Sequence, residues 1–338
     1  MSFNIVLFSD EHIETACQLL AARHRRMQKM EPLIATDLLS PESWLPLVNA
    51  MRSGSQFGGL AATSDGIYAG HLHWEYADTP VESIFSAFAP PDSVKAALDG
   101  FAVEPERPTA VRALYASASR QWNADGRGTQ VLTAATAESG VLEQLYGLGF
   151  GHAYSVAVRE SIVTMAAPQQ TGIVFREAVP GDEAVVRRLA EDLWRSYTEP
   201  PVHMPFIPES MPELCARADR YIADPATPVW LAERGGRAEA LEVFLTPESD
   251  DWFLGPQLTP EGAIYLFWAS TAPEVRGNGV HTALLNHTSR WAHSLGYTSI
   301  LLHYLAASFA SEYWQRQGFR PVVHGLTRII DPRALYII

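Results

Sequence analysis

The 338-residue sequence repeats one set of landmarks in its two halves. The landmarks are the start of an apolar strand, a Pro-Glu pair at a strand end and a Gly-Phe pair after a helix. Their separations are 168 positions from Ile5 to Ile173, 168 from Pro105 to Pro273 and 169 from Gly149 to Gly318. Three landmarks that keep one offset over about 145 residues predict two copies of one fold.

The copies meet in a stretch of small and polar residues, which predicts a linker at 161–171. The predicted domains are therefore residues 1–160 and 172–338. Apolar runs and turn residues give the second copy the element order β-α-α-β-β-β-α-β-α-β, ending in a strand pair near 320–330, and the first copy matches it. Alternating strands and helices of this kind indicate an α/β (α+β) fold class.

Composition limits the classes of function. An apolar share of 47% and a charged share of 19% are globular values. The net charge of −13 disfavours a nucleic acid partner, and the chain has no apolar run of roughly 20 residues that would predict a membrane span. Two distant cysteines and an N-terminus without a basic signal region favour a reduced cytoplasm. His71 and His73 share one strand without a third ligand nearby, so no metal site is predicted.

One segment of the second copy carries recognisable chemistry. Arg276-Gly277-Asn278-Gly279-Val280-His281 stands between a buried strand, Ile264–Thr271, and a long helix. A glycine-containing turn that leads into a helix presents unpaired N–H groups at the positive end of the helix dipole, and such a place binds phosphates. The segment lacks the lysine of a P-loop and the third glycine of a dinucleotide fold.

This segment resembles the pyrophosphate loop of the GCN5-related N-acetyltransferases, R/Q-x-x-G-x-G/A. The Pro-Glu strand end before it and the run Tyr313-Trp314-Gln315-Arg316-Gln317-Gly318-Phe319 after it match further signatures of that superfamily. The resemblance covers the whole second half by element order. The chain also looks similar to tandem members whose other half is degenerate. The resemblance implies two tandem folds, each a mixed, mostly antiparallel sheet flanked by helices.

The resemblance also implies the ligand and its residues. Acetyl-coenzyme A would serve as the acyl donor, without a metal. Ala269, Ser270 and Thr271 would bind its pantetheine arm and supply an N–H to the thioester carbonyl. Six loop residues would hold its pyrophosphate, and Trp314 on the closing helix would contact it as well. The six are Arg276, Gly277, Asn278, Gly279, Val280 and His281.

The sequence departs from that pattern in three places. His281 stands where the loop has Gly or Ala, so its side chain either turns away from the phosphates or contacts them. Ala307 replaces a pantetheine-binding asparagine, and Trp314 replaces the tyrosine that often protonates the departing thiolate. In the first half, the corresponding segment 107–111 contains no glycine, and Pro108 removes an N–H donor. That half is therefore predicted to be degenerate.

The catalytic candidates are His303, Tyr313 and Glu242, because the strand Ile264–Thr271 has no carboxylate to act as a base. Histidine and carboxylate groups can move protons near neutral pH. Each candidate also has a structural explanation. Glu242 fits a solvent-facing strand position, His303 a hydrogen-bonded core histidine and Tyr313 simple packing.

The sequence therefore predicts an acyltransferase that moves an acetyl or short acyl group from coenzyme A to a primary amine of a small molecule. The amine attacks directly, in the second domain of a cytoplasmic monomer or homodimer. The alternative is a non-catalytic acyl-coenzyme A-binding or regulatory module, which the three departures would suit.

Overall fold

The computed structural model describes residues 2–53, 57–166 and 170–334, and the chain forms two compact units. The first contains the residues up to Pro80, Phe88–Ser155 and the described residues from Pro321 onward. The second contains Val81–Ala87 and Val156–Arg320. The domain boundaries at 160 and 172 stay a prediction. The two units differ from the predicted domains because Val81–Ala87 belongs to the second unit and the described residues from Pro321 belong to the first. Part of the predicted linker, 167–169, lies outside the described residues.

The elements of the first half follow the predicted order with one strand added, β4. In chain order they are β1 (Asn4–Leu7), α1 (Ile13–Met30), α2 (Pro41–Ser53), β2 (Phe57–Ser64), β3 (Ile67–Tyr76), β4 (Ser93–Ala96), β5 (Phe101–Val103), α3 (Ala110–Ala124), β6 (Thr129–Ala135), α4 (Ser139–Gly147) and β7 (Gly151–Glu160).

The second half repeats this order without the added strand. Its elements are β8 (Ile173–Glu177), α5 (Glu183–Thr198), α6 (Met211–Ala223), β9 (Val229–Arg234), β10 (Arg237–Leu245), β11 (Ala263–Thr271), α7 (Val280–Ser294), β12 (Ser299–Leu305), α8 (Ala310–Arg316) and β13 (Arg320–Ile329).

Each unit contains a mixed sheet with one parallel pair in the path described here. In the first unit the strands follow the order β1-β2-β3-β4-β6-β13, in which only β4 and β6 are parallel, and β5 pairs with β3. In the second the order is β12-β11-β10-β9-β8, in which only β11 and β12 are parallel. The predicted fold class, with mostly antiparallel sheets flanked by helices, is confirmed.

The last strand differs from the prediction. The sequence predicts a strand pair near 320–330 that completes the second copy, but the structure has one strand, β13, in the first unit. It pairs antiparallel with β6, from Val323 opposite Ala135 to Ile329 opposite Thr129. Apolar alternation marks a strand and its buried face, and it carries no information about which neighbour the strand pairs with.

Two layers of helices cover each sheet, because each strand has apolar residues on both faces. In the second unit, α7 and α8 bury one face through Val280, Leu284 and Trp314. On the other face, Trp194 of α5 and Tyr221 of α6 contact Trp268 of β11. In the first unit the corresponding cores are built around α3 and α4 on one face and α1 and α2 on the other.

Buried histidines of β3 make the first unit sensitive to acid. His71 and His73 are 0% and 4% exposed. Burial, and then the charge of Arg52, lowers the pKa of His73 to about 4, and burial lowers that of His71 as well. An unfolded histidine binds a proton near pH 6.5, so the folded state loses stability as the pH falls from about 6.5 towards 4.

We expect His73 to account for about 2 kcal/mol of the stability lost between pH 7.5 and pH 5. Urea unfolding of the wild type and of His73→Leu at pH 7.5 and pH 5 measures it. The difference between the two pH values should shrink in His73→Leu and stay unchanged in His293→Leu, which alters an exposed histidine. Equal pH dependence in all three proteins would contradict the assignment.

Candidate functional site

The strands β11 and β12 diverge halfway along their length. Their parallel ladder runs from Ala263 opposite Ser299 to Leu266 opposite Leu302 and ends there. A register shift at this point opposite β10 leaves Phe267 as an extra residue in β11, which is a β-bulge that bends the strand. β11 continues to Thr271 with only β10 paired to it. Within the described residues, the other edge of Ala269–Thr271 is therefore open to an extended ligand.

The chain turns sharply between β11 and α7. Gly277 and Gly279 both have φ of 79°, in the left-handed region that favours glycine. α7 begins at Val280, and no described residue accepts a hydrogen bond from the amides of Gly279, Val280, His281 or Thr282. Four unengaged amides at the positive end of a 15-residue helix are able to bind an anion.

The open edge and the helix start face one cavity of about 620 Å³ in the second unit. Nine of the ten residues predicted to bind the coenzyme line it, and Asn278 does not. The nine are Ala269, Ser270, Thr271, Arg276, Gly277, Gly279, Val280, His281 and Trp314. The opposite wall comes from the end of α5 and from Glu199–Val202, and α8 contributes Tyr313 and Arg316.

Arg276 fixes the start of the loop. Its Nε donates to the carbonyl oxygen of Thr271 at 3.0 Å, which ties the loop to the last residue of β11. Arg276 and Arg316 both line the cavity, and Arg316 also forms an exposed ion pair with Glu312 at 3.3 Å. This arrangement favours a ligand with several phosphate groups.

The imidazole of His281 turns towards α8 and β10. Its Nδ1 lies 2.9 Å from the hydroxyl oxygen of Tyr313, and its Nε2 lies 3.3 Å from Oε1 of Glu242. Burial, and then the positive charge of Arg159, lowers the pKa of His281 to about 4. The ring is therefore neutral near pH 7, and its bulk is accommodated next to the loop.

Glu242 is completely buried, so its interpretation as a solvent-facing strand residue is wrong. Strand alternation places it with Ala240 and Phe244 on the face that α7 covers. Its Oε2 accepts a hydrogen bond from the hydroxyl of Thr288 at 2.6 Å. Burial raises its pKa to about 8, against the opposing effects of Thr288 and Arg159, so the carboxyl is largely protonated at neutral pH.

The structure brings Glu242 and Tyr313 together through His281 and places His303 elsewhere. Nδ1 of His303 lies 2.6 Å from the hydroxyl oxygen of Tyr265, and its ring packs against Phe253. His303 is not among the residues that line the cavity. Its catalytic role stays a prediction, as do those of Glu242 and Tyr313.

Sequence reasoning missed Arg159 of β7, which belongs to the second unit although it lies in the first half of the sequence. It is 0% exposed, donates to the carbonyl oxygen of Gln317 at 2.8 Å and to the hydroxyl of Ser289, and lies over the ring of Phe319. One charged residue after Val156-Ala157-Val158 was the available signal. The repeat pattern gave no reason to connect it with the second half.

None of the described helices combines the length and the apolar character that crossing a bilayer requires. Within the same residues, no three His, Cys, Asp or Glu side chains are arranged to hold a metal ion.

No family model and no curated protein sequence matches this chain. Solved structures do. A GCN5-related N-acetyltransferase from Sphaerobacter thermophilus is similar with a TM-score of 0.58 and 15% identity, over 98% of this chain and 96% of that one. A GCN5-related glucosamine N-acetyltransferase region of a fungal multi-domain GH3 β-N-acetylglucosaminidase is similar with a TM-score of 0.50 and 11% identity. That match covers 96% of this chain and 38% of that one. At such identities the likeness is one of fold, and it confirms the resemblance at that level: the chain has the GCN5-related N-acetyltransferase fold, in a tandem arrangement of two units.

Proposed function

We propose that the second unit transfers an acetyl or another short acyl group from coenzyme A to a primary amine of a small molecule. One observation carries the proposal: the open edge of β11 leads directly into the unengaged amides at the start of α7, in one cavity. The first feature suits an extended arm with amide groups, and the second suits a diphosphate. Coenzyme A contains both, in that order from its thiol end.

The residues present fit such a donor. Main-chain groups of Ala269–Thr271 would hold the pantetheine arm as an added strand, and the amides of Gly279–Thr282 would hold the pyrophosphate. Arg276 and Arg316 line the same cavity and would balance the phosphate charge. An N–H from the open edge of β11 would stabilise the oxyanion that forms during transfer, by roughly 3–4 kcal/mol.

The acceptor must lose its ammonium proton before it attacks, because only the neutral amine is a nucleophile. Glu199 is the carboxylate among the lining residues, and it would attract a cationic amine to the cavity mouth. The acidic segment 248–251 lies outside the cavity lining, and its Asp251 is already bound by Arg217 and Arg220 at 2.7 and 2.5 Å. Most of the acceleration then comes from holding donor and acceptor in line.

Release of free thiol from acetyl-coenzyme A against a panel of small primary amines tests the proposal. We expect steady release with at least one amine, at about 1 s⁻¹ or faster, and background release without an amine. Calorimetry on the same preparation measures coenzyme binding. Binding without turnover on a broad panel would contradict the transferase and support a non-catalytic binding module. An absence of binding would contradict both.

A further inference from the structure

Three side chains from three elements form a continuous line from the core to the cavity. Glu242 of β10 is buried, His281 of α7 follows it at 3.3 Å, and Tyr313 of α8 follows His281 at 2.9 Å. His281 and Tyr313 line the cavity, whereas Glu242 does not. We call these residues the proton line. Neither the family position of the acid, occupied here by Trp314, nor the loop motif predicts it.

The contacts of the proton line determine where its hydrogens lie. Oε2 of Glu242 accepts from Thr288, which leaves Oε1 as the atom that faces Nε2 of His281. Neither Oε1 nor Nε2 has a hydrogen-bond partner in the described structure, although they are close. A carboxyl hydrogen on Oε1 satisfies both atoms. The glutamate pKa of about 8 and the histidine pKa of about 4 agree with this placement.

The hydrogen on the other side of the imidazole then follows. With Nε2 as an acceptor, Nδ1 of His281 carries the ring hydrogen and donates to the hydroxyl oxygen of Tyr313. The hydroxyl of Thr282 donates to the same oxygen at 3.4 Å. The tyrosine oxygen therefore accepts two hydrogen bonds, and its own hydrogen is available to a group in the cavity.

We propose that the proton line supplies the proton that the departing coenzyme thiolate takes up, with Glu242 as its source and His281 and Tyr313 as its carriers. This inference rests on the proposed function. As the amine attacks, the C–N bond forms and the C–S bond breaks with its electron pair on sulfur. Tyr313 gives its hydroxyl proton to sulfur, Nδ1 of His281 replaces that proton, and the Glu242 carboxyl gives its proton to Nε2.

The balance closes within one turnover. Tyr313 is restored, His281 ends as its other neutral tautomer, and Glu242 ends as a carboxylate. The attacking nitrogen loses a proton to water. Water in the cavity returns one to Nδ1 of His281 through Tyr313, and Nε2 passes its hydrogen back to the buried Glu242 carboxylate, which restores the starting tautomer. Arg159 is the cation in the cluster, and it stabilises the carboxylate while it lasts.

Proton affinities favour the line over a lone tyrosine. Burial raises the pKa of Tyr313 above the usual value near 10, so a proton from this phenol alone moves uphill to a thiolate whose pKa is about 8.5. The pKa of Glu242, about 8, nearly matches that of the thiol. Matched donors and acceptors transfer protons most efficiently.

Single-turnover acyl transfer at saturating coenzyme and amine tests the kinetic role. Between pH 6 and 10 the ratio of the wild-type rate to the Glu242→Gln rate should be about 100 below pH 8 and should fall towards one above it, because Glu242 then loses its proton. The ionisation of the amine affects both rates equally, so it cancels in this ratio. The KM for acetyl-coenzyme A should stay within about twofold, because a glutamine side chain of the same size keeps the packing.

Two further variants complete the kinetic test. Tyr313→Phe should be as slow as Glu242→Gln below pH 8. Glu239→Gln is the matched control, because Glu239 lies in the same strand and is nearly buried, in an ion pair with Arg234. It should behave as the wild type. A wild-type rate and pH profile in Glu242→Gln, or a wild-type rate in Tyr313→Phe, would overturn the proposal.

A second readout needs no turnover. The ultraviolet absorbance of the thiolate reports the ionisation of free coenzyme A bound to the full-length protein. In the wild type and Glu239→Gln the thiol shares one proton with Glu242, so the absorbance should rise in two steps with pH. Glu242→Gln should give one step. Identical curves in all three proteins would overturn the proton line alone, whereas an absence of coenzyme binding would overturn the proposed function and the line with it.

Discussion

Replacing Gly279 with valine should weaken coenzyme A binding by about 100-fold or more. The residue immediately before α7 has a φ of 79°, which a β-branched side chain adopts only under strain. The chain would relieve that strain by rotating Gly279, and the amides of Val280–Thr282 would then no longer converge. Losing two hydrogen bonds to charged phosphate oxygens costs about 3 kcal/mol, which is roughly 100-fold in affinity.

The other end of α7 offers a matched control. Gly296 has a φ of 91°, and an added Cβ there would meet no atom within 4 Å. Gly296→Val therefore brings similar backbone strain to the same helix, far from the loop. Calorimetric titration with coenzyme A should show wild-type affinity for Gly296→Val. If both variants bind equally well, the anion site does not lie at the start of α7.

Replacing Arg159 with methionine should destabilise the second unit by about 3 kcal/mol or more. The guanidinium is fully buried, and its hydrogen bonds satisfy the carbonyl oxygen of Gln317 and the hydroxyl of Ser289. Methionine keeps most of the side-chain volume and leaves both groups without that donor. Leaving a buried polar group without its hydrogen-bond partner costs about 1–3 kcal/mol, and this substitution does so at two groups.

Hydrogen exchange measured peptide by peptide separates this effect from the stability of the first unit. Protection should fall in α7 and α8 and stay unchanged in α3 and α4. Arg320→Met is the comparison, because Arg320 forms a half-exposed ion pair with Glu160 at 3.6 Å, of a kind worth at most about 1 kcal/mol. A loss no greater than that of Arg320→Met would show that the Arg159 network contributes little.

Sequence patterns identified those parts of this fold that depend on neighbouring residues. The predicted buried strand Ile264–Thr271 is observed as Ala263–Thr271, and the predicted helix start at Gly279 is observed at Val280. Both glycines of the loop have the positive φ that such a turn requires. The strand follows from periodicity, the helix start from its cap and the turn from its glycines. Each of these signals lies within a few neighbouring residues of the sequence.

Features that depend on distant partners could not be predicted. The alternation of side chains along β10 places Glu242 on one face of the sheet, but it does not predict that a helix covers that face. The distance between Glu242 and His281 depends on how α7 packs on β10, and Tyr313 joins them from a third element. Arg159 comes from the other half of the sequence. Sequence reasoning therefore named Glu242, His281 and Tyr313 one by one, but it could not predict that they contact each other, and it missed Arg159.

The position of β13 has a consequence for how the protein is made. The first unit needs a strand that the ribosome synthesises about 185 residues after β6, the strand it pairs with. Until that strand emerges, the nascent first unit exposes an unpaired β6 edge, which is a template for association with other chains. We therefore expect slower completion of translation to lower the yield of native protein.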